Sequence, residues 1–194
     1  MSRTQQKNRA LHMDQNPVQK IASVIATQKP KTAFSNPFKV SFPLMTRVFV
    51  YGNLKRGQPN HYRMFDSSNG KAEFLATALT TQRYPLVIAT KYNIPFLLNL
   101  PGQGQRVHGE IYEVDERMLE FLDDFESVPS MYQRTLVELE VEDGGEELPA
   151  GTTTQVFVYS TTSYQPDWPS RRSFQSYDAH GDHGLQYVYR EARD

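Results

Sequence analysis

Residues 47–57 read Arg-Val-Phe-Val-Tyr-Gly-Asn-Leu-Lys-Arg-Gly. The segment begins with alternating β-branched and aromatic residues, which favours a strand with Val48 and Val50 on one face and Phe49 and Tyr51 on the other. Because both faces are apolar, we expect this strand to lie inside a sheet or barrel rather than at an exposed edge.

The strand is predicted to stop at Gly52, where glycine permits a sharp bend and lets a ligand come close to the backbone. The N–H groups of Gly52, Asn53 and Leu54 then leave the strand ladder together, and successive N–H groups turned inward form a concave site for an anion such as a carboxylate. The alternative is a surface turn after a buried strand, and this segment alone favours that interpretation. We expect Lys55 and Arg56 to be exposed turn charges.

Composition excludes several classes of function. The chain of 194 residues has no cysteine, which excludes disulfides, thiolate catalysis and Cys-ligated zinc and fits a reducing compartment, so we expect a cytoplasmic protein. The formal net charge of −1 gives no electrostatic reason to expect a nucleic-acid partner. No apolar run approaches the roughly 20 residues of a membrane helix, so no membrane partner is expected either.

Residues 1–44 differ from the rest. They contain seven Lys or Arg against the single acid Asp14, a formal charge of +6. We interpret them as a disordered N-terminal extension, because this composition cannot bury a core face. The alternative is an organelle-targeting segment, since residues 17–27 have amphipathic helical character. Residues 45–194 are predicted to form one domain.

The domain shows about seven short strands and one well-defined helix. The strands are predicted over residues 47–51, 72–81, 84–89, 94–98, 107–114, 135–142 and 155–159. Asp115 is predicted to cap the helix, whose apolar residues are Met118, Leu119, Leu122 and Phe125. A second, short helix is expected over residues 58–65, with Asn60 as its cap and Tyr62 and Phe65 facing inward.

The order of these elements indicates the fold class. The strands do not alternate with helices, which argues against a doubly wound α/β sheet. We predict an α+β fold: a small closed or nearly closed mixed β-barrel of about 6–7 short strands with flanking helices, since closure removes exposed strand edges.

Glu126 is the main candidate for a catalytic residue. It follows the predicted helix at its C-terminal end, where the helix dipole disfavours an anion, and Asp123 and Asp124 add like charge. Beside Phe125, such a carboxyl group is expected to have a raised pKa, as a general base requires. The alternative is a solvated acidic helix end, and physical reasoning alone leaves that alternative ahead.

The other polar and aromatic candidates are weaker. We interpret Asp123 and Asp124 as helix-surface acids and expect Arg134 to pair with a helix acid. His180 and His183 stand in a glycine-containing polar loop, which is a poor metal site. The side chains of Tyr84, Tyr132 and Tyr159 are expected in the core or in a pocket wall, with hydroxyl groups reaching a ligand as the alternative.

Several separated motifs occur together in this order. They are Tyr-Gly-Asn-Leu-Lys-Arg-Gly-Gln-Pro-Asn at 51–60, Tyr-Pro-Leu-Val-Ile-Ala at 84–89, Asn-Ile-Pro at 93–95 and Phe-Leu-Asp-Asp-Phe-Glu at 121–126. With them the chain resembles the γ-glutamylamine cyclotransferases of the γ-glutamyl cyclotransferase-like group. The resemblance covers about residues 45–158 closely and 177–190 more loosely, and it implies the same barrel architecture.

The resemblance implies an activity and its residues. A γ-glutamyl amine, such as γ-glutamyl-ε-lysine from transglutaminase cross-links, loses its amine while the glutamyl part closes to 5-oxoproline, without cofactor or metal. Glu126 matches the catalytic glutamate as general acid and base, and Tyr51, Gly52, Asn53 and Leu54 match the substrate-binding loop.

One difference from the family and several alternatives remain. Asn53 replaces the family's usual Thr or Ser, which is tolerable if the loop binds through its backbone and weakens binding if a hydroxyl is needed. The alternatives are a cyclotransferase acting on glutathione or free γ-glutamyl amino acids, and a non-catalytic γ-glutamyl-binding module. We expect a monomer whose partner is a small γ-glutamyl amine.

Overall fold

The computed structural model describes residues 44–193, so the predicted disordered extension lies, apart from Leu44, outside the described residues. The strands and the α-helix are β1 (Thr46–Val50), β2 (Ala72–Tyr84), β3 (Leu86–Ala89), β4 (Ile94–Leu97), β5 (Gln105–Val114), α1 (Glu116–Phe125), β6 (Gln133–Gly144) and β7 (Thr153–Ser160). Short 3₁₀ helices cover His61–Met64, Trp168–Ser170 and Arg190–Ala192.

Five of the strands form a closed barrel in the order β1-β5-β2-β6-β7. Strand β1 pairs in parallel with β7, and the other neighbouring strands pair antiparallel, so the barrel is mixed. Strands β3 and β4 form a separate two-stranded sheet. The predicted α+β barrel is confirmed, with the difference that two of the predicted strands form a hairpin outside the barrel.

Strand β1 is buried on both faces, as its sequence predicts. Phe49 and Tyr51 belong to an apolar cluster with members from every barrel strand, which fills the barrel. Val48 and Val50 belong to a second cluster that includes helix residues and lies on the other face of the strand. A strand between two apolar clusters has little freedom to shift, so the loop that follows it starts from a fixed point.

Helix α1 packs on the second cluster through Met118 and Leu122, which are both fully buried. Its N-terminus is capped as predicted: the Asp115 carboxylate accepts hydrogen bonds from the backbone N–H groups of Met118 at 2.8 Å and Lys71 at 3.0 Å. Within residues 44–193, no helix combines the length and apolarity needed to cross a membrane.

The short helix after the first loop differs from the prediction. It is a single 3₁₀ turn over His61–Met64, with Met64 buried, whereas Tyr62 and Phe65 are 56% and 61% exposed. The reason is the 3₁₀ repeat of about three residues, which places residues 61 and 64 on the inner side and residues 62 and 65 on the outer side. The Asn60 side chain makes no cap hydrogen bond.

Candidate active site

The backbone at the end of α1 is fixed by two hydrogen bonds. The N–H of Ser127 donates to the carbonyl of Asp124 at 3.1 Å, and the N–H of Val128 donates to the carbonyl of Asp123 at 2.9 Å. This is the Schellman arrangement, with Glu126 as the C-cap residue of the helix and Ser127 in the left-handed conformation at φ 56°. The chain therefore turns away directly after Glu126.

A cavity of about 120 Å³ brings together the two predicted parts of the site. It is lined by Tyr51, Gly52, Asn53 and Leu54 from the loop after β1 and by Glu126 from the end of α1. Since about 10–15 Å³ holds a single water molecule, the cavity has room for a small organic ligand.

The loop presents unpaired N–H groups. Its carbonyl groups are used within the loop, since Gly52 accepts from the N–H of Lys55 at 3.1 Å and Asn53 accepts from the N–H of Asn60 at 3.0 Å. Among residues 44–193, by contrast, no acceptor takes the N–H groups of Gly52, Asn53 and Leu54. Buried N–H groups are rarely left without an acceptor, so these three are available to a ligand oxygen.

Gly52 is closely packed, which the sequence does not show. A Cβ atom at this position would lie 3.0 Å from Cγ of Pro95 in β4. Its φ angle lies outside the left-handed region, so close packing against the β3–β4 hairpin, rather than an unusual backbone conformation, favours glycine here.

The prediction that Lys55 is exposed is wrong. Its side chain is buried, its ammonium group donates to the hydroxyl of Ser176 at 3.0 Å, and burial lowers its pKa. Arg56 is exposed, as predicted, yet its backbone N–H and its Nε both donate to the buried Glu110 carboxylate at 3.0 Å. These contacts anchor the loop to β5 and to the C-terminal segment, and the local sequence shows neither partner.

The Glu126 carboxyl group is electrostatically unusual. Burial raises its pKa from 4.5 to about 7, and the nearby positive charge of Arg190 opposes that rise. Among the described residues, no group donates a hydrogen bond to this carboxylate. The raised pKa was predicted, but its cause is burial rather than the neighbouring acids.

Asp123 is engaged in a different set of contacts. Its carboxylate accepts from the hydroxyl of Tyr159 at 2.8 Å and pairs with Arg134 at 3.0 Å, which confirms the predicted pairing of Arg134 with a helix acid. The pKa of Glu126 is set by burial and by Arg190 rather than by Asp123. Asp124 is exposed and lies outside the cavity lining.

Three tyrosines wall the cavity. The hydroxyl of Tyr51 donates to the carbonyl of Tyr159 at 2.7 Å, and that of Tyr132 donates to the carbonyl of Pro95 at 3.0 Å. Burial raises the pKa of all three well above the usual tyrosine value, so they stay neutral. Tyr132 and Tyr159 thus form walls, as predicted, while Tyr84 is a core residue outside the cavity lining.

The C-terminal segment supplies residues that sequence reasoning missed. Tyr187, Arg190 and Arg193 line the cavity. The hydroxyl of Tyr187 accepts from the side-chain amide of Asn60 at 3.0 Å, which explains why Asn60 does not cap the short helix. The segment has no apolar periodicity, and the only signal for it was the looser resemblance over residues 177–190.

The histidine loop lies within the same segment. His183 contacts the carbonyl of Asp178 through its Nε2 at 2.6 Å, and the backbone N–H of His180 donates to the Asp178 carboxylate at 3.0 Å. These are local contacts that order the loop. In the part of the chain that the structure describes, no three His, Cys, Asp or Glu side chains are grouped as metal ligands.

Comparisons with known proteins identify the family. Residues 48–179 match the family described as γ-glutamyl cyclotransferase, AIG2-like. The chain is 54% identical to γ-glutamylaminecyclotransferase of Homo sapiens over 153 residues, covering 77% of this chain and 100% of the human protein. It is 57% identical to γ-glutamylaminecyclotransferase B of Danio rerio over 147 residues, covering 76% of this chain and 75% of that protein.

A solved structure extends the similarity to the fold. The crystal structure of an AIG2-like protein from Mus musculus aligns with a TM-score of 0.72 at 53% identity, covering 77% of this chain and 99% of the mouse chain. A match over most of the domain at this identity, together with the barrel, the loop after β1 and the carboxylate at the end of α1, decides the family. The chain belongs to the γ-glutamyl cyclotransferase, AIG2-like family.

Proposed function

We propose that this chain is a γ-glutamylamine cyclotransferase, which converts a γ-glutamyl amine to 5-oxoproline and the free amine with Glu126 as general base and general acid. The relatives at more than 50% identity carry that name. The observation that supports the residue roles is the cavity itself. It is lined by the half-buried Glu126 and by Gly52, Asn53 and Leu54, whose N–H groups have no acceptor among the described residues.

The reaction needs little from the protein beyond geometry and proton transfer. The α-amine nitrogen of the substrate attacks its own γ-carbonyl carbon, a C–N bond forms, and the bond to the leaving amine breaks. Glu126 accepts the proton from the attacking nitrogen and returns it to the leaving nitrogen, so the reaction consumes no water. Because the nucleophile belongs to the substrate, holding the cyclising conformer supplies much of the rate enhancement.

The pKa of Glu126 suits both proton transfers. A group with a pKa of about 7 is substantially deprotonated at neutral pH and is still acidic enough, once protonated, to give the proton to a leaving nitrogen. An ordinary glutamate with a pKa near 4.3 would be a weaker base by more than two orders of magnitude in proton affinity.

The loop after β1 holds the glutamyl part in this proposal. The N–H groups of Gly52, Asn53 and Leu54 donate to its oxygen atoms, as successive N–H groups do in other anion sites. Asn53 takes part through its backbone, so asparagine in place of the family's threonine or serine is compatible with binding. Tyr132 and Tyr159 limit the access of water, which strengthens these hydrogen bonds.

The test is to incubate the full chain with γ-glutamyl-ε-lysine and to quantify 5-oxoproline and free lysine by mass spectrometry. We expect both products in equal amounts. Glutathione and γ-glutamylalanine are assayed in parallel. A higher kcat/KM for either of them would support the alternative substrate class, and ligand binding without any 5-oxoproline would support a non-catalytic binding module.

A further inference from the structure

Two N–H groups of the loop after β1 take their direction from the carbonyl groups that precede them. A trans peptide group is planar, so the carbonyl of one residue and the N–H of the next point in opposite directions. The carbonyl of Gly52 is held by the N–H of Lys55 at 3.1 Å, which fixes the direction of the Asn53 N–H. The carbonyl of Asn53 is held by the N–H of Asn60 at 3.0 Å, which fixes the direction of the Leu54 N–H.

Lys55 and Asn60 are held in turn by the C-terminal segment. The ammonium group of Lys55 donates to the hydroxyl of Ser176 at 3.0 Å, and the side-chain amide of Asn60 donates to the hydroxyl of Tyr187 at 3.0 Å. The two residues are only 7% and 5% exposed, so neighbouring atoms restrict both side chains. The C-terminal segment therefore reaches the N–H groups through two residues to which the proposed chemistry gives no step.

Lys55 is the more unusual of the two, because it carries a buried charge. Burial lowers its pKa, and the negative charges of Glu110 and Asp178 act in the opposite direction. A buried ammonium group lowers stability unless its partners compensate for the lost hydration. Lys55 is not among the residues that line the cavity, so it does not act on the ligand directly. Its two hydrogen bonds instead connect Ser176 to the Gly52 carbonyl.

We infer that Lys55 is a positioning residue: held by Ser176, it holds the Gly52 carbonyl and so aims the Asn53 N–H at a ligand oxygen. This inference rests on the proposed function and adds a residue to it. Hydrogen bonds weaken steeply when the donor turns away from the acceptor, so a displaced Asn53 N–H binds the glutamyl part less tightly. Because Lys55 acts through the loop and not on Glu126, its loss leaves proton transfer in place.

The test removes each half of the contact between Lys55 and Ser176. Lys55→Met removes the donor and its charge, and Ser176→Ala removes the acceptor at an exposed residue. We expect KM for γ-glutamyl-ε-lysine and Kd for 5-oxoproline to rise together, by about 10-fold in Lys55→Met and about 3-fold in Ser176→Ala, the scale of one hydrogen bond. In both variants kcat should stay close to that of the unmodified chain.

Two matched variants separate positioning from general stability. Ser176→Thr keeps the hydroxyl and should restore the KM and Kd that Ser176→Ala changes. Lys71→Met makes the same chemical change at an exposed lysine outside the cavity lining, and both constants should stay unchanged. A variant that is merely less stable loses active protein and therefore apparent kcat, whereas misplaced binding groups raise KM at unchanged kcat. Assays well below the melting temperature keep these two effects apart.

Several results would overturn the inference. They are unchanged KM and Kd in Lys55→Met, or a loss of kcat alone, which would mark Lys55 as a structural residue. If Lys55→Met does not fold, equal constants for Ser176→Ala and Ser176→Thr overturn it instead. Each of these results leaves the proposed function in place, because the unmodified chain still forms 5-oxoproline. If the unmodified chain forms none, the proposed function fails, and Kd for 5-oxoproline in the same variants still tests the role of Lys55.

Discussion

At the scale of single residues, the proposed function gives the proton transfers to Glu126, which lies where a carboxylate is disfavoured. Burial raises its pKa to about 7, and Arg190 limits the rise. The unpaired N–H groups of Gly52, Asn53 and Leu54 in the same cavity are also unfavourable without a ligand. Both features lower the free energy of unfolding of the ligand-free protein. In the proposed function they act only when substrate is bound.

The pH dependence of activity follows from two deprotonations. Glu126 must be ionised to act as a base, and the substrate α-amine, with a reference pKa of about 8, must be neutral to attack. The logarithm of kcat/KM should therefore rise with pH, with a slope near two below the Glu126 pKa of about 7 and a slope near one above it. A slope of one persisting down to pH 5 in the measured pH–rate profile would show that Glu126 titrates lower or takes no part.

The same pKa predicts a pH-dependent stability difference. An acid whose folded pKa is raised from 4.5 to about 7 binds its proton more tightly in the folded state, so the protein loses stability as pH rises through that interval. The loss is at most about 3 kcal/mol. Glu126→Gln avoids it and should melt several degrees higher than the unmodified chain at pH 8, on a scale of roughly 2–4 °C per kcal/mol.

Thermal unfolding at two pH values checks this expectation. The difference in melting temperature between Glu126→Gln and the unmodified chain should shrink as the pH is lowered toward 4.5, because both folded chains are then neutral at this position. Equal melting temperatures at pH 8 would mean that the carboxylate is well solvated.

At the scale of elements, the site depends on how α1 and the C-terminal segment meet. Helix α1 and strand β1 could be predicted from sequence because their signals are local: a cap at Asp115, helical spacing of Met118 and Leu122, and alternation around Phe49. The path of the C-terminal segment could not be predicted, because it is set by contacts with residues that are distant in sequence. For example, the N–H of Ala179 donates at 2.8 Å to the side chain of a residue 121 positions earlier, Gln58.

The same distinction explains which site residues were found. Glu126 and the loop after β1 stand beside regular elements, so their places in the chain followed from the pattern. Their assignment to a site came from the family resemblance, because the pattern alone favoured a surface turn and a solvated helix end. The burial of Lys55 and the roles of Tyr187, Arg190 and Arg193 follow from the covering segment, whose path no periodicity indicates. The raised pKa of Glu126 was predicted in direction, whereas its main cause, burial, requires the assembled cavity.

The contact between the two segments gives an element-scale prediction. Tyr187→Phe removes the hydroxyl that accepts from the Asn60 side chain at 3.0 Å and leaves a buried amide unpaired. We expect a loss of about 1–2 kcal/mol in the free energy of unfolding and a higher KM, because the cavity wall loosens. Tyr189→Phe is the matched control, since Tyr189 is 48% exposed.

Urea unfolding and steady-state kinetics of both variants provide the measurement. The control should behave like the unmodified chain. If the Tyr187 variant does so as well, the hydroxyl contact contributes nothing to the site.

At the scale of the whole molecule, the barrel is the frame that holds the catalytic parts in register. Strand β1 pairs with β5 and β7, and its end carries the loop with the N–H groups. Helix α1 packs on the face of β1 that points away from the barrel interior, and its end carries Glu126. Site residues placed at the ends of rigid elements keep their relative positions better than residues within long loops.

The composition of residues 1–44 predicts that they are dispensable, because seven Lys or Arg against one acid cannot bury a core face. Among the described residues, strand β1 begins at Thr46 and the members of the two apolar clusters lie between residues 48 and 187. A chain that starts at Met45 should therefore keep its melting temperature and its kcat/KM. A large fall in either quantity, measured side by side with the full chain, would show that the N-terminal residues contribute to the fold or to the site.

The central claim is that Glu126 transfers the proton during cyclisation, and the most direct measurement is the rate of 5-oxoproline formation by Glu126→Gln under saturating substrate. Glutamine keeps the shape but cannot accept the proton, so we expect turnover to fall by about 10²-fold or more, with binding of 5-oxoproline and the cooperative unfolding transition retained. Asp124→Asn, a change of the same kind at an exposed acid two residues away, should keep normal turnover. Near-normal turnover of Glu126→Gln would contradict the account.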